Sequence, residues 1–455
     1  MSTQPVSPSS HEQSWPNPQY AWFVIIVLFI CSIFSFLDRQ ILSLLVEEIK
    51  ADLDLSEIQM GLLLGLPFAL FYAGMSIPIA LAADKLNRKN IIAAGVAFWS
   101  LATAACGLAG SFLTLFMARI GVGAGEAALS PSAVSIISDY FPKEKLAMPM
   151  AVFTMGNLTG VGVAMILGGP IALYVSQFDA ITLPVFGEIF PWQLTFFFVG
   201  LPGLALAMLV LSLREPKRKG LSNLDAQSEP AMESLARFAR FFMQHWKAFS
   251  TLVASFTLLV LMAYANFAWM PTFFRRSFGW DVAEAGVNYG MIVLIAGTTG
   301  AFFGGWFSNF LAGRGYRDAP FRATMLCTIP LAPAAFGTFM LADSGMEAVL
   351  WFIPWQFFGS VPAGLAGTAM MTITPNEMRA KISSFYLFFS NLIGVTIGAA
   401  LVAWFTQEYF ADEARINESL AIVNCVFAPI AVLIIWRGMK HFRQSRDEVE
   451  AATTT

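Results

Sequence analysis

A chain of 455 residues that is 57% hydrophobic and only 13% charged, with a mean hydropathy of +0.65, is too poor in charge for a water-soluble protein, where about a quarter of residues are charged. The net charge of −3 decides little, its distribution matters more, and no nucleic-acid partner is expected. Cys31, Cys106, Cys327 and Cys425 fall singly in apolar runs without metal-ligand spacing, so no disulfide, metal or organic cofactor is expected.

Residues 1–19 are polar and carry no Lys or Arg. They lack the basic start of a signal peptide, and no cleavage is expected. Beyond them, a ruler of about 20 residues per membrane crossing reads twelve spans. The first six are Tyr20–Leu45, Gln59–Ala83, Asn90–Ala109, Phe112–Ser138, Leu146–Ser176 and Phe190–Leu213. The second six are Ala248–Phe274, Val282–Leu311, Ala323–Leu341, Glu347–Thr372, Ile382–Phe405 and Leu420–Trp436. The expected architecture is an all-α membrane protein of two pseudo-symmetric six-helix bundles, residues 20–213 and 248–437. A polar linker, 214–247, joins them, and tails 1–19 and 438–455 flank them. The halves echo each other after their fourth spans, in FPKEKLAMPMAVF and TPNEMRAKISSFY, where Pro142, Glu144 and Ala147 match Pro375, Glu377 and Ala380. Paired six-span repeats are a common transporter plan.

Placing both termini in the cytoplasm puts 21 Lys and Arg in inside loops and tail against 4 outside. That bias sets the expected orientation, in a bacterial inner membrane. Two of the four outside cations, Arg275 and Arg276, are expected to reach outer-leaflet phosphates, or else to steer an anionic headgroup. In the linker, MESLARFARFFMQHW sets Leu235, Phe238, Phe241 and Phe242 on one side, which suits either a helix lying on the membrane surface or a solvated linker with a helical end.

The fourth span carries MARIGVGAGEAALSP, Met117 to Pro131. Arg119 and Glu126 stand two helical turns apart on roughly one face. Small residues at 121, 123, 124, 125 and 127 let a neighbouring helix approach closely. A charge inside a membrane helix costs several kcal/mol unless it faces a partner or a wet cavity. The first span supplies Asp38 and Arg39, and the second half has no equivalent charges. These four residues are expected to form one neutral cluster. Glu126 is the first candidate for a proton-coupling acid and Asp38 the second, with Arg39 and Arg119 as charge partners. A static salt-bridge network that fixes helix packing is the competing reading. Between the second and third spans, Asp84, Arg88 and Lys89 form a candidate gating loop. There Asp84 is placed to cap a helix N-terminus and Asn87 to adopt a left-handed conformation.

At Ala80–Lys89 the chain resembles the major facilitator superfamily, whose loop signature is G-x-x-x-D-x-x-G-R-K/R. Ala80 and Asn87 stand where glycines are usual, while Asp84, Arg88 and Lys89 match. The second-half counterpart is eroded, with Gly305, Asn309 and Gly313–Arg314. The fourth-span motif R-x-x-x-G-x-G is met by Arg119, Gly123 and Gly125. Within the superfamily the chain is most similar to the spinster family of lipid transporters, through FSFLDRQILSLL and ARIGVGAGEAALSPSAVSIISDYFP. The resemblance implies a proton-coupled, alternating-access carrier of lysophospholipids or sphingolipid-like molecules, active as a monomer and driven by the proton gradient. It also implies that Asp38 and Glu126 are protonation sites and that Arg119 can meet a lipid phosphate.

An amphiphile needs polar anchors beside an apolar wall. Asn157 in the first half and Tyr264, Asn266, Trp269, Asn288, Trp355, Tyr386 and Asn391 in the second are the candidate substrate-binding residues. The alternatives within the class are a proton-coupled drug exporter and an organic-anion symporter, the latter favoured by a smaller, wetter cavity. An enzyme is not expected: no histidine falls in a span, and Ser130 is a lone serine.

Overall fold

The computed structural model describes residues 15–183, 187–218, 231–375 and 378–454. Among the described residues, twelve helices are long and apolar enough to cross a membrane: Pro18–Leu44, Glu57–Lys85, Arg88–Cys106, Phe112–Tyr140, Ala147–Val175 and Pro191–Ser212, then Trp246–Phe278, Val282–Gly313, Ala319–Leu341, Gly345–Thr372, Lys381–Tyr409 and Glu413–Ala451. They are numbered here as spans one to twelve, and they match the hydropathy ruler to within a few residues except at the last. The twelfth helix runs on to Thr454, so residues 438–454 continue the span as helix and do not form a separate tail. The fifth and sixth spans are joined by a short antiparallel hairpin, β1 (Ile181–Leu183) and β2 (Gly187–Ile189), too small for hydropathy to register.

The two halves meet at the end of the molecule away from the termini, called the distal end below. Small residues set the contact. A Cβ on Gly65 of the second span would sit 2.6 Å from the Val395 carbonyl oxygen of the eleventh, so only glycine permits this approach. Gly162 and Gly290 likewise bring the fifth span onto the eighth. Among the described residues, every hydrogen bond between the halves lies at this end, from Ile58–Gln407 to Arg275–Glu48. One apolar cluster runs through both halves. Toward the termini the first half has its own cluster, around Trp99 and Ile137, and the second half another, around Leu311 and Val361. The molecule is thus joined distally and cleft between the halves at the end bearing the termini, the proximal end.

The proximal ends are tied within each half. Arg88 is buried and donates to Asp139 at 2.5 Å and to Glu215 at 2.8 Å, pinning the third span to the end of the fourth and to the segment after the sixth. Lys89 donates to the Leu211 and Leu213 carbonyls. Asn87 is extended rather than left-handed (φ −70°), because it caps the third span by accepting from the Asn90 amide. Asp84 therefore does not cap; it is exposed in the last turn of the second span. The linker helix Ala231–Gln244 lays Phe241 and Phe242 on Phe249 and Phe242 on Phe385, so its aromatic face is packed on the second half. The Leu235 side chain lies outside the described residues.

Candidate transport site

The fourth span is broken where its charge sits. Helix Phe112–Glu126 ends, and a new helix starts at Leu129. Pro131 has no N–H for the residue 127 carbonyl, which helps the ladder reset just after Glu126. Before the break, a Cβ on Gly123 would meet the Phe68 backbone oxygen at 2.6 Å and one on Gly125 the Trp99 backbone nitrogen at 2.8 Å. The small residues thus seat the fourth span against the second and third, as their spacing suggested.

Glu126 is 1% exposed and faces the first span. Its Oε2 accepts from Arg39 Nη2 at 2.6 Å and from Ser35 Oγ at 2.5 Å, while Oε1 has no partner. Ser35 and Arg39 are one helical turn apart and so share a face. The Arg39 guanidinium lies 3.9 Å over the Phe68 ring and 4.7 Å from that of Phe36. Aromatic faces attract a cation and fix the plane of this one.

Asp38 and Arg119 do not complete the four-charge cluster through side chains. Arg119 donates to the backbone carbonyls of Asp38, at 3.1 Å, and Arg39, at 3.4 Å. Asp38 is turned toward the third span, where Thr103 and Trp99 lie against its carboxyl. Neither of its oxygens makes a hydrogen bond of ordinary geometry, and the Trp99 and Thr103 donors are unpaired as well. Adjacent residues on a helix point about 100° apart, so Arg39 and Asp38 cannot both reach the fourth span.

A cavity of about 160 Å³ opens beside the Arg39–Glu126 pair, lined by Ser35, Phe36, Arg39, Phe68, Tyr72, Glu126, Leu129 and Ser130 from the first half and by Tyr264 and Asn391 from the second. It begins about one helical turn from the Gly65–Val395 contact, where the halves part. Of the expected binding residues, Tyr264 and Asn391 are on it. Asn266 is fully buried in a reciprocal amide pair with Asn424, and Trp269 donates to the Ala399 carbonyl. Both are sealed in the second half. Trp355 stacks on Phe352 inside that half, Tyr386 packs on Phe256, and Asn288 donates to the Glu284 carbonyl of its own helix. The structure places these five away from the cavity, and Arg119, expected to meet a lipid phosphate, is 1% exposed, bonded to the first-span carbonyls and not on the lining either. The Asn157 side chain lies outside the described residues. Ser35, Phe36, Phe68, Tyr72 and Leu129, which the sequence does not single out, complete the lining with Ser130. Phe36 stands three residues before Arg39, the one signal that could have marked it. Among the described residues no group of His, Cys, Asp and Glu is arranged to hold a metal ion.

A second charge cluster closes the distal end. Arg275 donates to both carboxylate oxygens of Glu48, at 2.7 and 3.0 Å, and to the Leu44 carbonyl. Arg276 reaches Glu47 at 2.8 Å, Glu57 at 2.5 Å and Glu413 at 3.3 Å. Lys50 joins Glu57 and Glu413. Arg275 and Arg276 therefore face protein carboxylates across the two halves, not lipid phosphates, because the helix Val46–Leu53 after the first span folds its acids under them.

Comparison with known proteins gives a consistent picture. The profile of the Major Facilitator Superfamily matches residues 28–444. An MFS-type efflux pump of Mycolicibacterium smegmatis is 26% identical over 96% of both chains. Protein spinster of Drosophila melanogaster is 24% identical over 82% of this chain and 60% of its own length. The hexuronate transporter of Bacillus subtilis is 25% identical over 90% of this chain and 93% of its own. Among solved structures, a bacterial homologue of the human lysosomal transporter spinster, inward-facing and unoccupied, superimposes with a TM-score of 0.80 at 26% identity, over 95% of this chain and 99% of that one.

Proposed function

As a member of the major facilitator superfamily this chain is a multi-pass membrane transporter of the spinster-like kind, and we propose that it carries anionic amphiphiles of the lysolipid or sphingolipid type by proton-coupled alternating access. The observation that carries this reading is the Arg39–Glu126 pair at the cavity wall. Ionised Glu126 occupies Arg39. A proton on Glu126 removes that claim and leaves the guanidinium, set between aromatic rings, for an anionic headgroup. Proton and anion then favour each other's binding by linkage. Tyr264 and Asn391 bring the second half to the same cavity, so a bound headgroup touches both halves and biases their rocking. Both termini are cytoplasmic in this reading, the distal end is the outer one, and the chain acts as a monomer in a bacterial inner membrane. Asp38 is the second protonation site, and Asp84, Arg88 and Lys89 work at the proximal gate.

The second reading, a small organic-anion symporter, draws support from the cavity volume, which is below the roughly 300–1,000 Å³ of sites for drug-sized ligands. Flux of a labelled lysophospholipid and of glucuronate into proteoliposomes separates the two. Lysophospholipid movement that exceeds that of protein-free vesicles, without glucuronate movement, is expected. Glucuronate movement alone would replace the lipid with the organic anion.

A further inference from the structure

Glu126 is held by two donors on one oxygen, and the two differ in what they can do once a proton arrives. Arg39 has only N–H donors and cannot accept from a neutral carboxyl. Ser35 carries a hydroxyl, which donates to a carboxylate and accepts from a carboxylic acid. Its own hydrogen then needs a new acceptor, and a serine in a helix can give it to the carbonyl four residues back. Ser32 already does so, donating to the Leu28 carbonyl at 3.2 Å. Ser35 instead gives its hydrogen to Glu126, at 2.5 Å and 6% exposure.

We propose that Ser35 is a positioning residue for transport: its hydroxyl keeps Glu126 docked on the first span in both protonation states, so that protonation releases Arg39 alone. This rests on the reading of Glu126 as the coupling acid. Without Ser35, the neutral carboxyl keeps only the Arg39 N–H as a described partner on the first span, and the fourth span loses its register there when Arg39 turns to substrate. The charged and titratable groups around Glu126 are Asp38 and Arg39 on the first span, Tyr72 on the second, Cys106 on the third, Arg119 on its own and Tyr264 on the seventh. Arg39 and Arg119 stay cationic at every working pH. None of the others donates a hydrogen bond to Glu126 among the described contacts, so the Ser35 hydroxyl is the neutral donor whose removal the carboxyl feels directly.

The test compares the intact protein with Ser35→Ala, Ser35→Thr and Glu126→Gln. Two readouts are taken: the pH dependence of gradient-driven lysophospholipid uptake in proteoliposomes, and infrared titration of the carboxyl band that Glu126→Gln removes. A donor to a carboxylate favours its ionised form over the neutral one, so its loss moves protonation to higher pH. Ser35→Ala is expected to raise both midpoints by about half to one pH unit, the difference between a hydrogen bond to a charged and to a neutral group. It is also expected to lower the accumulation ratio more than the rate of lipid exchange. Ser35→Thr keeps the hydroxyl and restores both midpoints. If Ser35→Ala matches the intact protein in both midpoints while Glu126→Gln abolishes the gradient response, the role of Ser35 is wrong and the coupling reading stands. If Glu126→Gln keeps gradient-driven accumulation, the coupling reading fails and the proposal falls with it.

Discussion

Two charge clusters divide the work of this molecule, and they are built in opposite ways. The distal clamp is dense and shared: Glu47, Glu48, Lys50 and Glu57 of the first half face Arg275, Arg276 and Glu413 of the second, in pairs and forks. The central site is sparse and one-sided. Arg39, Glu126, Arg119 and Asp38 all belong to the first half, and Glu126 Oε1 and both Asp38 oxygens lack partners. The clamp has the form of a latch, in which opposite charges on two bodies hold them together. In the proposed function the central site is a switch, in which one acid and one guanidinium pair or part with a proton. The lesson is that an ion pair's neighbours, more than the pair, decide whether it fixes a structure or responds.

The largest effect should come from breaking the latch. Arg276→Ala takes the cation from Glu47 and leaves Glu57 and Glu413 to Lys50 alone; removing one partner of a buried pair typically costs about 3–5 kcal/mol, and Lys50 holds the loss to the lower end. The ratio of distally closed to open molecules should fall on the order of a hundredfold. Spin-label distances between the distal ends of the two halves measure it, and an unchanged distribution would make the clamp ornamental to closure. Next comes the switch. Arg39→Ala should weaken binding of an anionic lysophospholipid by about 10- to 100-fold, the worth of a charged hydrogen bond. Arg39→Lys should recover only part of this, because the ammonium cannot stack on Phe68 as the planar guanidinium does. Equal affinity for the two variants and the intact chain would remove Arg39 from the substrate site.

A smaller change tests whether the small-residue contacts are needed for closure. Gly65→Ala drives a Cβ into the Val395 carbonyl and should open the distal end by about 1–3 kcal/mol of overpacking. Gly74→Ala, on the same span with nothing within 4 Å, is the control and should leave the distances unchanged. The smallest effect concerns the proximal linker. His245 is buried against Ser445 and Phe241, and burial pushes its imidazole below the ordinary value, with Glu448 opposing. The packed form is neutral, so its stability is present above the ordinary imidazole range and is lost as pH falls through the lowered value. Amide exchange in Ala231–Gln244 should therefore quicken on acidification beyond its intrinsic pH dependence, and the extra response should vanish in His245→Gln.

Much of this was legible in the sequence, for identifiable reasons. Hydropathy gives the spans because lipid imposes one length on all of them. The charges in the first and fourth spans stand out because membranes make them costly, and that cost led to the Arg39–Glu126 meeting. The orientation of Asp38 was not legible, since adjacency in a helix excludes a shared face without saying which residue wins it. The partners of Arg275 and Arg276 are not legible, because their acids lie more than 130 positions away between or at the ends of spans, where a glutamate reads as ordinary surface. Asn266, Trp269 and Trp355 looked like cavity residues by type alone. A helix that is apolar all round carries no stripe to tell cavity from core.

The central claim is that Glu126 couples a proton to transport, and gradient-driven lysophospholipid uptake by the intact chain and Glu126→Gln tests it most directly. The account predicts that the intact chain accumulates lipid in response to a pH gradient, while Glu126→Gln exchanges lipid without responding to the gradient. Equal gradient-driven accumulation by both would contradict it.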